Sequence, residues 1–218
     1  MDADVYDEDY FLRGRQSGKS LYQDYRWLPE LTVPMVSRIV AHCGIEKSHT
    51  ILDFGCSRGY IVRAFRELGY QAYGVDVSEW AVKNADESVG KYCWLQKGAA
   101  MLSAYEDAPF WPTEFDWVIA KDVLEHVPNV ASVIDDLRQN AKIGIFAVVP
   151  LSSIDGKRYE VEEYEKDITH IHRLSLKTWA GMFMLPEWTV EASYRVGGVK
   201  DNYASWAMGN GFIKAVRQ

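Results

Sequence analysis

Short apolar runs alternate along the chain with stretches whose apolar residues return every three or four positions, and this alternation predicts most of its elements. From Leu31 to Cys43, the residues Val36, Ile39, Val40 and Cys43 fall at helical spacing, with Pro34 suited to a first turn. Thr50-Ile51-Leu52-Asp53-Phe54 is a strand-length run that stops at Gly55, and Ile61, Phe65 and Leu68 form the helical stripe after it, closed by Gly69. Ala72-Tyr73-Gly74-Val75 predicts a second strand, with Ser78 capping a helix that carries Ala81, Val82 and Ala85. Tyr92 to Leu95 is a third strand and Phe115 to Ala120 a fourth. A helix with Val130, Val133, Ile134 and Leu137 then leads into the very apolar run Ile143 to Val149. Strands alternating with helices predict a parallel sheet covered on both faces, and right-handed crossovers make it doubly wound.

The two ends of the chain depart from that rhythm. After a helix capped by Ser175 and carrying Leu176, Trp179, Ala180 and Phe183, Trp188–Val196 and Tyr203–Val216 read as two strands. A turn at Gly197-Gly198 would pair them antiparallel, and Gly209-Asn210-Gly211 interrupts the second. Residues 150–174 form a long connection without periodicity, the kind of stretch that often serves as a lid. The first 30 residues are irregular and rich in tyrosine (Tyr6, Tyr10, Tyr22, Tyr25), too aromatic for a disordered tail. They are expected to cover the active site of a domain formed by residues 31–218.

Composition narrows the function classes. A chain of 218 residues suits one domain with a substantial core. The formal charge of −7, from 24 basic and 31 acidic residues, is unlike the basic face that neutralises nucleic-acid phosphates. No apolar run is long enough to cross a bilayer, and the acidic start Met1-Asp2-Ala3-Asp4 lacks the form of a secretory signal, so the cytoplasm is the expected location. Cys43, Cys56 and Cys93 are widely spaced and fit reduced thiols better than a disulfide framework or a zinc site.

The candidate chemistry begins at Leu52-Asp53-Phe54-Gly55-Cys56-Ser57-Arg58-Gly59. A strand ends in an acid, turns through glycines and opens a helix whose first amides are unpaired. Dinucleotide enzymes hold pyrophosphate at such a turn, but with Gly-x-Gly-x-x-Gly spacing. Here the spacing is Gly-x-x-x-Gly. The preceding Asp53 would repel a phosphate and suits the cationic amino-acid end of S-adenosylmethionine (SAM). Asp76 ends the next strand, where a carboxylate can accept two hydrogen bonds from a ribose diol.

These residues resemble the class I SAM-dependent methyltransferases. Leu52 to Gly59 is similar to their motif I, and Gly74-Val75-Asp76-Val77-Ser78 to the ribose-binding motif. Phe115 to Val127 resembles the fourth-strand signature of the small-molecule branch that includes ubiquinone-type and sugar-modifying enzymes. One departure is Ser57, where the family turn has a glycine. The resemblance implies a Rossmann-like, doubly wound, mostly parallel seven-stranded sheet with a C-terminal antiparallel hairpin. It also implies SAM as cofactor, held by Asp53, Gly55, Cys56, Gly59 and Asp76. Val77, Gly98 and Ala99 would border the adenine, and Lys121 the reactive end. N-terminal segments of the family fold over the cofactor, so Arg26 would either pair with the SAM carboxylate or make an ordinary surface salt bridge.

A hydroxyl acceptor benefits from a base poised near neutrality, the ordinary work of histidine. His126, after the fourth strand, either fixes a turn or acts as that base. His170, in the long connection, matches a histidine common in the branch and is the second catalytic candidate; His172 is expected to be a loop residue. The pair His170-x-His172 suggests metal, but no third ligand is evident, so no metal is expected. The expected activity is methyl transfer to an oxygen or nitrogen of a small acceptor such as a sugar, a lipid-linked compound or a natural product. A homodimer is left open. The rivals are a noncatalytic SAM-binding scaffold, a nucleic-acid methyltransferase and an NAD-dependent dehydrogenase. The fourth-strand residues Ala120-Lys121-Asp122-Val123 disfavour the nucleic-acid enzyme and the glycine spacing disfavours the dehydrogenase.

Overall fold

The computed structural model describes residues 3–96, 112, 114–200 and 208–218. Seven strands form one sheet: β1 (Thr50–Phe54), β2 (Gln71–Asp76), β3 (Cys93–Leu95), β4 (Phe115–Lys121), β5 (Ala141–Pro150), β6 (Trp188–Ser193) and β7 (Asn210–Arg217). Their order across the sheet is β3-β2-β1-β4-β5-β7-β6. The first five pair in parallel. β7 runs antiparallel between β5 and β6. The seven helices are α1 (Glu8–Leu12), α2 (Gly14–Ser17), α3 (Pro29–Cys43), α4 (Tyr60–Glu67), α5 (Glu79–Lys83), α6 (Val130–Asn140) and α7 (Leu176–Phe183).

The period of two along each strand divides the core into two layers. Leu52, Val118, Ala120, Ile145 and Ala147 face α6 and α7, where Ile134, Leu137, Trp179 and Phe183 are buried against them. The intervening residues Ile51, Trp117, Ile119, Phe146 and Val148 face α3 and α4, against Val36, Ile39, Val62 and Phe65. Both faces being covered explains why β5 is an almost unbroken apolar run.

Three expectations change. Helix α3 begins at Pro29, so Pro34 lies inside it and the helix forgoes the bond that an amide at 34 would give. Gly197-Gly198 is not a hairpin turn. β6 ends at Ser193 and β7 starts at Asn210, while Val196 and Val199 are buried in the layer of α3 and α4. The glycine at 198 is needed there for a different reason, since its φ is +85° and a Cβ would collide with the Arg38 side chain. The connection 150–174 is not structureless: Ser152 bridges Tyr159, a short 3-10 helix spans Glu162–Lys166, and Tyr159, Val161 and Tyr164 are buried together.

Candidate functional site

The carboxyl ends of β2, β1 and β4 lie side by side, at the point where successive strands turn to opposite sides of β1. In open α/β sheets this is where a crevice forms. The turn between β1 and α4 builds its floor. Gly55 has φ +80°, and a Cβ there would come within 2.5 Å of the Val123 side chain, so only glycine fits without moving the wall. The amides of Gly55 and Cys56 both donate to the Val75 carbonyl, at 2.8 and 2.9 Å, which pins the turn to the end of β2. Gly59, at φ +78°, precedes α4, and a Cβ there would meet Cys93 Sγ at 2.7 Å.

Ser57 takes the left-handed conformation (φ +50°) that a glycine would adopt without cost. Its amide donates to Asp76 Oδ2 at 2.7 Å, a charge-assisted bond that offsets the strain. Asp76 Oδ1 accepts from the Ser78 amide at 2.8 Å. Burial raises the Asp76 carboxyl above its ordinary pKa, against the pull of these amides. Asp53 is more extreme. It is 2% exposed, its Oδ2 has no hydrogen-bond partner, and burial together with the nearby Asp76 pushes its pKa up to about 8. A buried carboxylate oxygen without a donor is a strong demand for a cation or a proton.

Residues 3–25 fold back over the crevice. Tyr6, Tyr10, Phe11 and Tyr22 line a cavity of about 960 Å³, open mouth included, whose other walls include Gly55, Ser57, Asp76, Val77, Gln96, Asp122, Val123 and His126. The segment is fastened by Ser78 Oγ, which donates to the Tyr6 carbonyl at 2.6 Å, and by the stacking of Phe11 on Trp80 at 5.5 Å. Tyr25 packs on Tyr60 above the glycine turn, and the Asp53 charge adds to burial in raising its hydroxyl pKa.

A second cluster stands where β4 ends. Asp122 has φ +53° and carries ion pairs to both Lys121 and Lys200, the latter at 2.7 Å. Burial alone would raise the Asp122 carboxyl, but the two ammonium groups overcome it and hold it well below the usual carboxylate range. Lys200 also reaches Asn210 Oδ1 at 2.9 Å and the Tyr164 hydroxyl at 3.3 Å. Glu125 is 1% exposed, and burial with the neighbouring Asp122 raises its carboxyl far above the usual range. His126 Nε2 and His170 Nε2 each lie 3.9 Å from Glu125 Oε1, and the two rings are 4.7 Å apart. Burial, with His170 beside it, lowers His126 to about 4, and burial also lowers His170. Both imidazoles are therefore neutral at pH 7.

Among the described residues, Glu125, His126 and His170 are the group whose ligand atoms lie within 4.8 Å of one another. Those three could hold a metal ion with the Glu125 carboxyl ionised, a form its burial disfavours. His172 is not part of the group: its Nε2 donates to the Val127 carbonyl at 2.7 Å.

The structure thus brings Gly55, Asp76, Val77 and His126 to one cavity, with Asp53, Cys56 and Gly59 directly behind its wall and His170 behind His126. Cys56 is 3% exposed and packs against Gly74, where a Cβ would meet its Sγ at 2.7 Å. Lys121 does not line the cavity, because its ammonium is taken by Asp122. Arg26 is not brought in either. It is exposed and paired with the exposed Asp24. Arg58 donates to the Tyr25 carbonyl at 3.1 Å and to the Asn84 carbonyl at 2.7 Å. Gly98 and Ala99 lie outside the described residues.

Sequence reasoning passed over Gln96, Asp122, Asp167, Thr169 and Lys200. The position of Asp122 directly after β4 was a usable signal, since ligands gather at strand ends. The pairing of Lys200 with Asp122, 78 residues apart, left no local trace.

A model of the methyltransferase domain matches residues 26–191. The chain is 31% identical over 121 residues to the ubiquinone biosynthesis O-methyltransferase of Azoarcus sp. (strain BH72), covering 56% of this chain and 51% of that protein. It is 31% identical over 169 residues to the enzyme of the same name from Dechloromonas aromatica (strain RCB), covering 66% and 68%. The chain spans about half the length of the first of these curated relatives. A SAM-dependent methyltransferase from Archaeoglobus fulgidus superposes with a TM-score of 0.63 at 17% identity, covering 87% of this chain and 95% of that one. A plantazolicin methyltransferase solved in complex with SAH gives 0.59 at 12% identity, covering 87% and 83%. At such identities these two structures carry the fold alone. With the family model spanning most of the chain, the strand order and the glycine turn agree with it, and the chain belongs to the methyltransferase-domain family.

Proposed function

We propose that the chain is a SAM-dependent methyltransferase acting on an oxygen of a small-molecule acceptor. The observation that carries this reading is the pair of buried acids at the ends of β1 and β2, with Asp53 Oδ2 lacking any donor. The residues present fit the cofactor. Asp53 offers that oxygen to an ammonium group, and Asp76 keeps a lone pair on each carboxylate oxygen for a ribose hydroxyl after serving Ser57 and Ser78. Val77 and Gln96 offer flanks for the adenine. Gly55, Cys56 and Gly59 hold the turn in the shape this requires. When bound, SAM supplies a methyl group on a positively charged sulfur that leaves readily.

The chain's own residues do the rest. Residues 3–25 form a cover, in which Tyr6, Tyr10, Phe11 and Tyr22 shield the cavity from water. Positioning of the acceptor in that enclosed space provides much of the acceleration. His126 lines the cavity and accepts the acceptor's hydroxyl proton as the methyl group moves, although burial, by lowering it to about 4, makes it a weaker base than the near-neutral one a hydroxyl acceptor suits best. His170 stands behind it as a second neutral imidazole. The names of the curated relatives support oxygen as the target atom. The formal charge of −7 supports a small acceptor over a nucleic acid.

The test is turnover of methyl-labelled SAM by the purified chain against a panel of phenolic, sugar and carboxylic acceptors. Label is expected in an oxygen-linked methyl of one class, with His126→Gln slowing transfer about 100-fold or more while SAM still binds. Bound SAM without labelled product across the panel would instead favour a SAM-binding scaffold.

A further inference from the structure

We propose that Thr169 and Asp167 form a positioning relay that fixes which nitrogen of His126 carries the proton, and that Tyr10 of the N-terminal segment completes it. The inference deepens the reading of His126 as the base and rests on it. His126 Nδ1 lies 2.8 Å from Thr169 Oγ1. Thr169 has one hydroxyl proton and two neighbours besides His126, Asp167 Oδ1 at 2.5 Å and the Tyr10 hydroxyl at 3.3 Å, and the nearer, charged carboxylate takes it. The same Oδ1 takes the Thr169 amide at 3.0 Å, and Oδ2 takes the Tyr10 hydroxyl at 2.8 Å. With its own proton committed, Thr169 Oγ1 can only accept from His126. The imidazole therefore carries hydrogen on Nδ1 and a lone pair on Nε2.

That tautomer leaves Nε2 as the ring nitrogen able to take a proton. The alternative, with hydrogen on Nε2, would leave Nδ1 as an acceptor facing a hydroxyl that has no proton to give. The relay is sealed from solvent, with Thr169 1%, Tyr10 3% and Asp167 6% exposed, so water does not stand in for a missing partner. Its members come from three distant parts of the chain. Tyr10 lies 157 residues from Asp167, and the Tyr6 ring meets His126 edge-on at 6.0 Å. Docking of residues 3–25 thus both closes the cavity and completes the set of donors around Asp167. The other groups near His126 do not compete for Nδ1: Glu125 faces Nε2 at 3.9 Å, and the His170 Nδ1 proton is spent on the Tyr164 carbonyl at 2.8 Å.

The tautomer can be read without any acceptor. In long-range proton–nitrogen NMR spectra of the full chain, with the histidine rings labelled and His126 assigned by its loss in His126→Gln, the relay predicts a protonated Nδ1 and a bare Nε2. Thr169→Val, which keeps the shape but loses the hydroxyl, is expected to shift His126 toward the Nε2–H form, and Thr169→Ser to restore the native pattern. With an acceptor from the panel above, Thr169→Val lowers kcat about 100-fold, with KM and SAM affinity within about twofold, and Thr169→Ser recovers most of it. A protonated Nε2 in the wild-type chain overturns the relay whatever the variants do. An unchanged tautomer in folded Thr169→Val does the same. If instead the tautomer is as predicted but His126→Gln turns over normally, the relay stands as structure and the base assignment fails.

Discussion

Asp53 carries the largest unmet electrostatic demand at the glycine turn. Its carboxyl is held near pH 8 by burial and by the neighbouring Asp76, against an unfolded value of 3.8. The raised value means that the folded, empty protein keeps a proton there which the unfolded chain loses, so this group's contribution to stability declines as pH rises between those two values. An ammonium placed against Oδ2 favours the ionised form, so binding expels the proton. SAM affinity is therefore expected to strengthen by up to about tenfold per pH unit as pH is raised from about 6 toward 7.5. Calorimetry in two buffers of different ionisation heat should register the release of about one proton, and Asp53→Asn should abolish it. A pH-independent affinity with no proton release would remove Asp53 from the binding site. The placement of Asp53 and Asp76 at the carboxyl ends of two adjacent strands was legible in the sequence, because each stands at or beside the end of a short apolar run. For Arg26 the sequence left two readings open, and its pairing with the exposed Asp24 is the surface salt bridge of the two.

At the level of elements, local chemistry was the most readable. Ser78 and Ser175 both cap the helices assigned to them, accepting from the amides of Ala81 and Thr178. A cap needs nothing beyond its own first turn. Gly197-Gly198 misled because a glycine pair resembles a tight turn, whereas Gly198 answers to the Arg38 side chain on α3, far away in sequence. Ser78 has a second duty that its sequence context does not reveal, since its hydroxyl donates to the Tyr6 carbonyl. Ser78→Ala should therefore cost about 1–2 kcal/mol of stability in urea unfolding, somewhat more than a cap alone. Amide hydrogen exchange should also accelerate selectively over residues 3–25. A uniform change in exchange, or none in that segment, would show that Ser78 does not fasten the cover.

Across the whole molecule, the sheet was the easy part to read. Two-residue and helical periods alternate from β1 to α7, and a chain built that way has few topologies open to it. The cover was harder, because Tyr6, Tyr10 and Tyr22 show no period and their docking depends on partners in the connection after β5 and at the start of α5. The same distance hid the approach of His170 to the adjacent Glu125 and His126, which only the fold brings about. Among the described residues no helix is long and apolar enough to cross a membrane. The central claim is that the crevice between β1 and β2 is built for SAM and not for a nucleotide phosphate. It is tested most directly by titrating the purified chain with SAM and, in parallel, with NADH, and repeating the SAM titration with Asp76→Ala. The structure predicts micromolar SAM binding, no NADH binding, and at least tenfold weaker SAM binding in the variant, about 1.5–3 kcal/mol for lost hydrogen bonds to a charged group. NADH binding, or SAM affinity indifferent to Asp76 in a folded protein, would contradict it.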